Sequence, residues 1–158
     1  MPARPNTRVG FSKEKEEWED LPMSLRAIVI DPEQRTVKAV ETAATTADIR
    51  RLVGASGLSS FRIADHGTSF DYGWVNDVGL MDGKPIYGFK FDIAKDPIAG
   101  RCVFIGVDKE TRENTDAATP IGFLLEHIIW LGLIVPEVFW EETEQGMRAI
   151  VTYERAKA

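Results

Sequence analysis

Tyr87, Phe89 and Phe91 stand at alternate positions just after Trp74-Val75-Asn76-Asp77-Val78-Gly79. Side chains alternate across a β-strand, so three rings at this spacing share one face. The stretch predicts a strand, a polar Gly-containing turn and a second strand from Pro85 to Phe91. Tyr72 and Trp74 share a face of the preceding strand in the same way. A face this aromatic is core if something covers it. Left bare, it is a stacking platform for a nucleobase, a ring ligand or a protein partner. The core reading is favoured, because the chain's helices must bury their own apolar stripes on some sheet face.

The rest of the chain supplies those helices and more strands. Leu25 to Ile30 reads as a strand, Asp31-Pro32-Glu33-Gln34 as a turn and Thr36 to Glu41 as the returning strand. Thr45 is placed to cap a short helix, with Ile49, Leu52 and Val53 forming one stripe and Gly54 or Gly57 ending it. Ser60–Ala64 and Asp71–Asn76 predict two strands joined by a loop at Asp65-His66-Gly67-Thr68-Ser69. Arg101–Val107 reads as a central strand. Thr119-Pro120 predicts a helix start, a hydroxyl cap followed by Pro at the first helical position. Ile121, Leu124, Leu125, Ile128 and Ile129 then follow at helical spacing, and Gly132 suits the stop. Val138–Thr143 and Met147–Tyr153 predict a closing hairpin around Gln145-Gly146, preferred over a helix opened by Pro136.

These elements predict an α+β fold: a largely antiparallel sheet of six to eight strands, with helices over 45–54 and 120–131 packed on one face. Ile121, Leu124, Leu125 and Ile128 are the expected contacts, each worth about 2–5 kcal/mol against truncation to Ala. Residues 1–22, with Pro2, Pro5, Pro22 and a charged run from Lys13 to Asp20, read as an N-terminal extension or a docking arm anchored by Phe11 and Trp18. Residues 23–158 are expected to form a single domain.

The formal charge of −6 carries no dense block of either sign. It disfavours non-specific nucleic-acid binding and equally disfavours mimicry of nucleic acid. Cys102 is the only cysteine, which excludes an internal disulfide and a zinc-finger ligand set. The longest apolar run, Ile121–Val135, is interrupted by Glu126 and His127 and falls short of the ~20 residues a membrane-spanning helix needs. A cytoplasmic protein with no membrane partner is expected.

The segment from Met23 to about Asp108 resembles a little-characterised family of small domains encoded by bacteria and their phages and plasmids. The resemblance is carried by Arg26-Ala27-Ile28-Val29-Ile30-Asp31-Pro32, Leu52-Val53-Gly54, Trp74-Val75-Asn76-Asp77-Val78-Gly79 and Ala99-Gly100. It covers about half the chain, and its motifs are structural in kind. It implies an accessory role in a bacterium or mobile element and brings no catalytic residue with it.

Candidate chemistry is sparse. His66, between Asp65 and Gly67 on a loop at the mouth of a strand pair, is the sharper of the two histidines. Asp71 and Asp77 lie near it in sequence, but no metal-binding histidine pair occurs, and a polar turn histidine is the commoner role. His127 is expected half-buried against Phe123 or Trp130. Asp108–Asp116 fails as a calcium loop because Arg112 takes the fifth position and no glycine takes the sixth. No nucleophile turn or phosphate loop is present. No cofactor is expected.

Two functions remain. The leading one is a non-catalytic binding or interaction protein, its partner another protein or a second copy. Trp74, Trp140 and the strand edges would carry that contact. The alternative is a small-molecule sensor or small enzyme with a pocket formed by Asp65, His66, Tyr72, Trp74, Asn76 and Asp77.

Overall fold

The Asp31-Pro32 turn and the Thr45 cap are both realised. The computed structural model describes residues 24–156. The expected extension over 1–22, with its docking residues Phe11 and Trp18, lies outside the described residues. Strands β1 (Leu25–Asp31) and β2 (Thr36–Thr42) form the first hairpin. Asp31 Oδ1 accepts from the amides of Glu33 and Gln34 at 3.0 and 3.2 Å, holding the turn between them. Helix α1 (Thr46–Val53) begins where Thr45 Oγ1 accepts from the Asp48 amide at 3.1 Å, and Gly54 ends it at φ +81°.

Asp48 ties this helix to the hairpin. Its carboxylate accepts from the Thr42 hydroxyl at 2.5 Å and from Arg51 Nε at 2.8 Å. These two hydrogen bonds, Thr42 first, hold its pKa below the usual 3.8. A depressed carboxylate contributes stability that is complete above the unfolded value and is lost as pH falls through the folded one. Asp48→Asn should therefore lower the urea midpoint at pH 6. The gap to wild type should close stepwise below pH 3.8; a gap of constant size down to pH 2 would contradict the coupling.

The remaining elements are β3 (Leu58–Asp65), β4 (Ser69–Asn76), β5 (Ile86–Phe91), β6 (Ile98–Ala99), β7 (Cys102–Asp108), β8 (Asn114–Thr115), α2 (Ile121–His127), β9 (Ile128–Thr143) and β10 (Gly146–Arg155). They build two antiparallel sheets where one was expected. The larger runs β2-β1-β7-β4-β3 with β8 beside β7; the smaller runs β10-β9-β5-β6. The strand–turn–strand stretch over residues 71–91 is thus split. β4 pairs with β3 and β7, while β5 pairs with β9 and β6.

Strand parity sorts the core into two layers. On one face of the larger sheet, Ala27, Val103 and Ile105 pack with Ile49 and Val53 of α1, and Trp74 and Leu58 close the edge of that layer. On the other face, Ile28, Ile30, Cys102 and Phe104 meet Phe89 and Phe91 of the smaller sheet, together with Leu124 and Ile128. Phe89 and Phe91 are core residues, covered by the other sheet, with Leu124 of α2 in the same cluster. Their rings meet edge-on at 5.6 Å, and Phe91 lies 6.3 Å from Phe104. Tyr87 is 37% exposed, at the end of β5. Cys102 is fully buried, and burial pushes its thiol pKa up.

The helices therefore do not share one face, and the second is short. The apolar run after His127 fits a buried strand as well as a helix. From Ile128 the chain is extended and supplies the partner strand β5 needs, Phe91 against Ile128 and Ile86 against Ile134. Gly132, expected to stop a helix, sits in this strand at φ +73° beside the register shift opposite Gly88. Leu124 is 2% exposed but Leu125 is 50% exposed, so only the first is a core residue. Leu124→Ala should destabilise by about 2–5 kcal/mol and Leu125→Ala by less than about 1 kcal/mol, read from chemical denaturation. Equal losses would contradict this orientation of α2.

Candidate functional site

Two places carry side chains that the fold alone leaves unexplained: a buried polar cluster at one end of the larger sheet, and the far half of the β9–β10 hairpin.

The cluster grows from the turn joining β3 to β4. Asp65 Oδ1 accepts from the Gly67 amide at 2.8 Å, and Gly67 takes φ +87°, which its missing Cβ permits. The His66 amide closes the turn onto the Ser69 carbonyl at 2.8 Å. Two residues into β4, Asp71 points to the same side as Gly73 and Val75 and is 0% exposed. Its Oδ2 accepts from the Thr119 amide at 2.8 Å and the Thr119 hydroxyl at 2.5 Å. The Ala118 amide donates at 3.1 Å, and His66 Nε2 stands 3.2 Å away. A buried carboxylate is tolerated only when so satisfied. Arg26 secures the same segment from β1, donating to the Ala117 carbonyl at 2.8 Å.

Histidine, carboxylate and hydroxyl together invite comparison with a nucleophilic triad. The connectivity is different. Both Asp71 Oδ2 and Thr119 Oγ1 approach the same ring nitrogen, Nε2, at 3.2 and 3.0 Å. A triad needs the carboxylate on one nitrogen and the hydroxyl on the other. Here the Thr119 proton is directed at Asp71, and Thr119 is 3% exposed. With two acceptors facing Nε2, that nitrogen carries the hydrogen. The cluster is a clamp that ties the 117–119 segment to β4. Thr119, read from sequence as the cap of α2, is spent on this clamp; Pro120 precedes the helix with no side-chain cap.

Asp65 faces outward, bound to Lys109 Nζ at 2.8 Å, which with the Gly67 amide holds its carboxyl below the usual value. Lys109 and Arg62 both lie over the Phe70 ring, at 4.5 and 3.8 Å from its centre. Tyr72 and Trp74 point to the α1 side of β4, and Trp74 packs in that layer. Asn76 and Asp77 lie past the other end of the strand. Asn76 lines a cleft of about 200 Å³ with Asp31, Tyr87, Gly100 and Arg101. Asp77 is exposed, its amide donating to the Gly57 carbonyl at 3.2 Å. β4 separates the two groups by about 23 Å at ~3.3 Å per residue. The structure brings His66 together with Asp71 and Thr119, and it keeps Asp65 and His66 apart from Asn76 and Asp77.

His127 is half-buried, its ring 4.4 Å from Phe123 and its Nδ1 3.0 Å from Asp92. Asp108 is a turn residue, accepting from the amides of Glu110 and Thr111, which hold its carboxyl low. Among the described residues, no group of three or more His, Cys, Asp or Glu is placed to hold a metal ion. No helix among them is long and apolar enough to cross a membrane.

The second place is the hairpin. β5 pairs only with Ile128–Ile134 of β9, so Val135–Thr143 runs on without β5, reaching about 30 Å further. Its sole partner there among the described residues is β10, in register from Thr143–Gly146 to Ile134–Arg155. Pairing fixes the two faces of this arm. Val138, Trp140 and Glu142 share one face with Val151, Ala149 and Met147; Glu137, Phe139 and Glu141 share the other with Thr152, Ile150 and Arg148. The first face is almost wholly apolar, yet Trp140 is 59% and Met147 63% exposed. The sequence did flag Trp140. The length of strand behind it was hidden in the run read as helix.

Fold and site together define a class: two stacked antiparallel sheets with one helix on the outer face and an amphipathic β-arm. No family model, no curated protein and no solved structure matches the chain.

Proposed function

We propose that this protein is a non-catalytic interaction protein that binds another polypeptide through the β9–β10 arm. The observation that carries this reading is the apolar face of a two-stranded ribbon on which Trp140, Met147 and Ala149 are exposed beside half-buried Val138 and Val151. Such a ribbon is marginal by itself, and exposed aromatic and Met side chains are typical of docking surfaces. The geometry at Asp71 supports the same reading from the other side, since its histidine and hydroxyl are committed to holding a loop. The resemblance to small domains of bacteria, phages and plasmids fits a cytoplasmic accessory role in such a host.

Native mass spectrometry of protein purified from a bacterial host tests this. A polypeptide complex should survive mild desolvation in wild type and in His66→Ala, and be lost in Trp140→Asp. A small-molecule adduct that disappears in His66→Ala, with Trp140→Asp unchanged, would overturn the reading in favour of a ligand sensor centred on Asp65 and His66.

A further inference from the structure

We infer that the partner of the arm is a second copy of this chain, added antiparallel along β10 with Val151 on the two-fold axis; this rests on the arm being the interaction surface. Among the described residues, β10 is the edge strand of its sheet. Edge strands are ordinarily blunted by Pro, Lys, bulges or very short length. β10 has none of these: Gly146-Met147-Arg148-Ala149-Ile150-Val151-Thr152-Tyr153-Glu154-Arg155 is ten residues with neither Pro nor Lys, paired to β9 without a register break.

Charge selects the register. In an antiparallel self-pairing, residues directly opposite must have their amides turned the same way, which restricts the choice to registers centred on one residue. Centring on Val151 sets Arg148 opposite Glu154 of the second copy, twice by symmetry, and sets no like charges opposite each other. Centring on Ile150 or Thr152 loses both pairs. Arg148 already bridges Glu141 of its own hairpin at 2.6 Å and remains 60% exposed. The guanidinium fork has donors for a second carboxylate, giving a row Glu141–Arg148–Glu154 across the junction on the face opposite Trp140.

The same register makes the two apolar faces continuous. Val138 and Val151 meet Val151 and Val138 of the second copy in one four-strand row. In the next row Trp140 and Ala149 lead to Tyr153 and Pro136 of the second copy. Cross-strand pairs of these types stabilise a sheet, and a four-stranded ribbon is independently stable where a two-stranded one is not.

Sedimentation velocity over a concentration series is the test. Wild type should sediment at twice the 17.6 kDa chain mass. Arg148→Glu and Glu154→Arg should each weaken the dimer about tenfold or more, while Glu110→Gln, on the exposed turn after β7 and away from the arm, leaves it in place. An equimolar mixture of the two charge-reversed proteins should form a heterodimer, because each junction then regains an opposite pair. These substitutions lie on exposed positions, and circular dichroism checks that the fold persists. A wild-type protein that stays monomeric at several hundred micromolar would overturn the inference, as would a dimer indifferent to both reversals. Either result leaves the interaction role of the Trp140 face standing, since Trp140→Asp tests that separately.

Discussion

Asp71→Ala should lower the unfolding free energy by about 3–5 kcal/mol, a large effect for one polar residue. The Asp71 carboxylate is fully buried and is the shared acceptor for the Ala118 and Thr119 amides, the Thr119 hydroxyl and His66 Nε2. Alanine fills none of these roles and leaves several donors facing one another in a dry space. Unmet buried donors each cost about 1–3 kcal/mol, part of which is recovered as water enters or the segment lifts. Asp71→Asn keeps the shape but turns an amide NH₂ toward donors, so it should also destabilise. His66→Ala, at the partly exposed rim, should do less than either. Urea denaturation followed by tryptophan fluorescence reads all three. A wild-type midpoint for Asp71→Ala would mean that the 117–119 segment is held by Arg26 alone.

Phe104→Ala should cost a similar amount, about 3–5 kcal/mol, for the opposite reason. Phe104 is at the centre of β7, 0% exposed, opposite Ile28 on one side and Gly73 on the other. Gly73 contributes no side chain, and a Cβ built there would stand 2.7 Å from the Phe61 ring. Phe61 and Cys102 therefore take the space that glycine leaves open, and Phe104 packs with them and with Phe91 in one buried cluster. The denaturant slope should stay near wild type while the midpoint falls, since the exposed area of unfolding barely changes. A loss under about 1 kcal/mol would show that the two sheets are not packed through this ring.

The local elements were legible because each has a local cause. Thr45 and Gly54 bracket α1 by capping alone, Asp31-Pro32 sets the first hairpin, and the β-branched and aromatic content of 138–153 favoured a hairpin over a helix. What could not be read is which strand pairs with which. Ile86–Phe91 looked like the partner of Asp71–Asn76 because it follows it. Its real partner, Ile128–Ile134, lay in a run whose apolar spacing satisfies helix and strand alike. That one ambiguity also misplaced Leu125 and reduced two sheets to one. Thr119 was misread because a hydroxyl before Pro120 serves a cap and a clamp equally well. Asp71 did leave a signal: it falls in step with Gly73 and Val75 on an alternating strand, where an acid must be buried and satisfied. Asp65, His66, Asn76 and Asp77 are close in sequence, but β4 carries them to opposite ends.

The pairing of β1 with β7 bears on how the chain reaches this state. Val29 lies against Val103, and everything between them must be gathered before either strand gains its central neighbour. The β3–β4 and β9–β10 hairpins close over short loops and can form early, whereas closing the long loop is entropically uphill until β7 docks between β1 and β4. Refolding is therefore expected on the millisecond-to-second scale of non-local β topologies. Until β7 docks, the apolar faces of Ile28, Ile30 and Phe104 stand open, and the chain is most exposed to aggregation while that strand is still on its way.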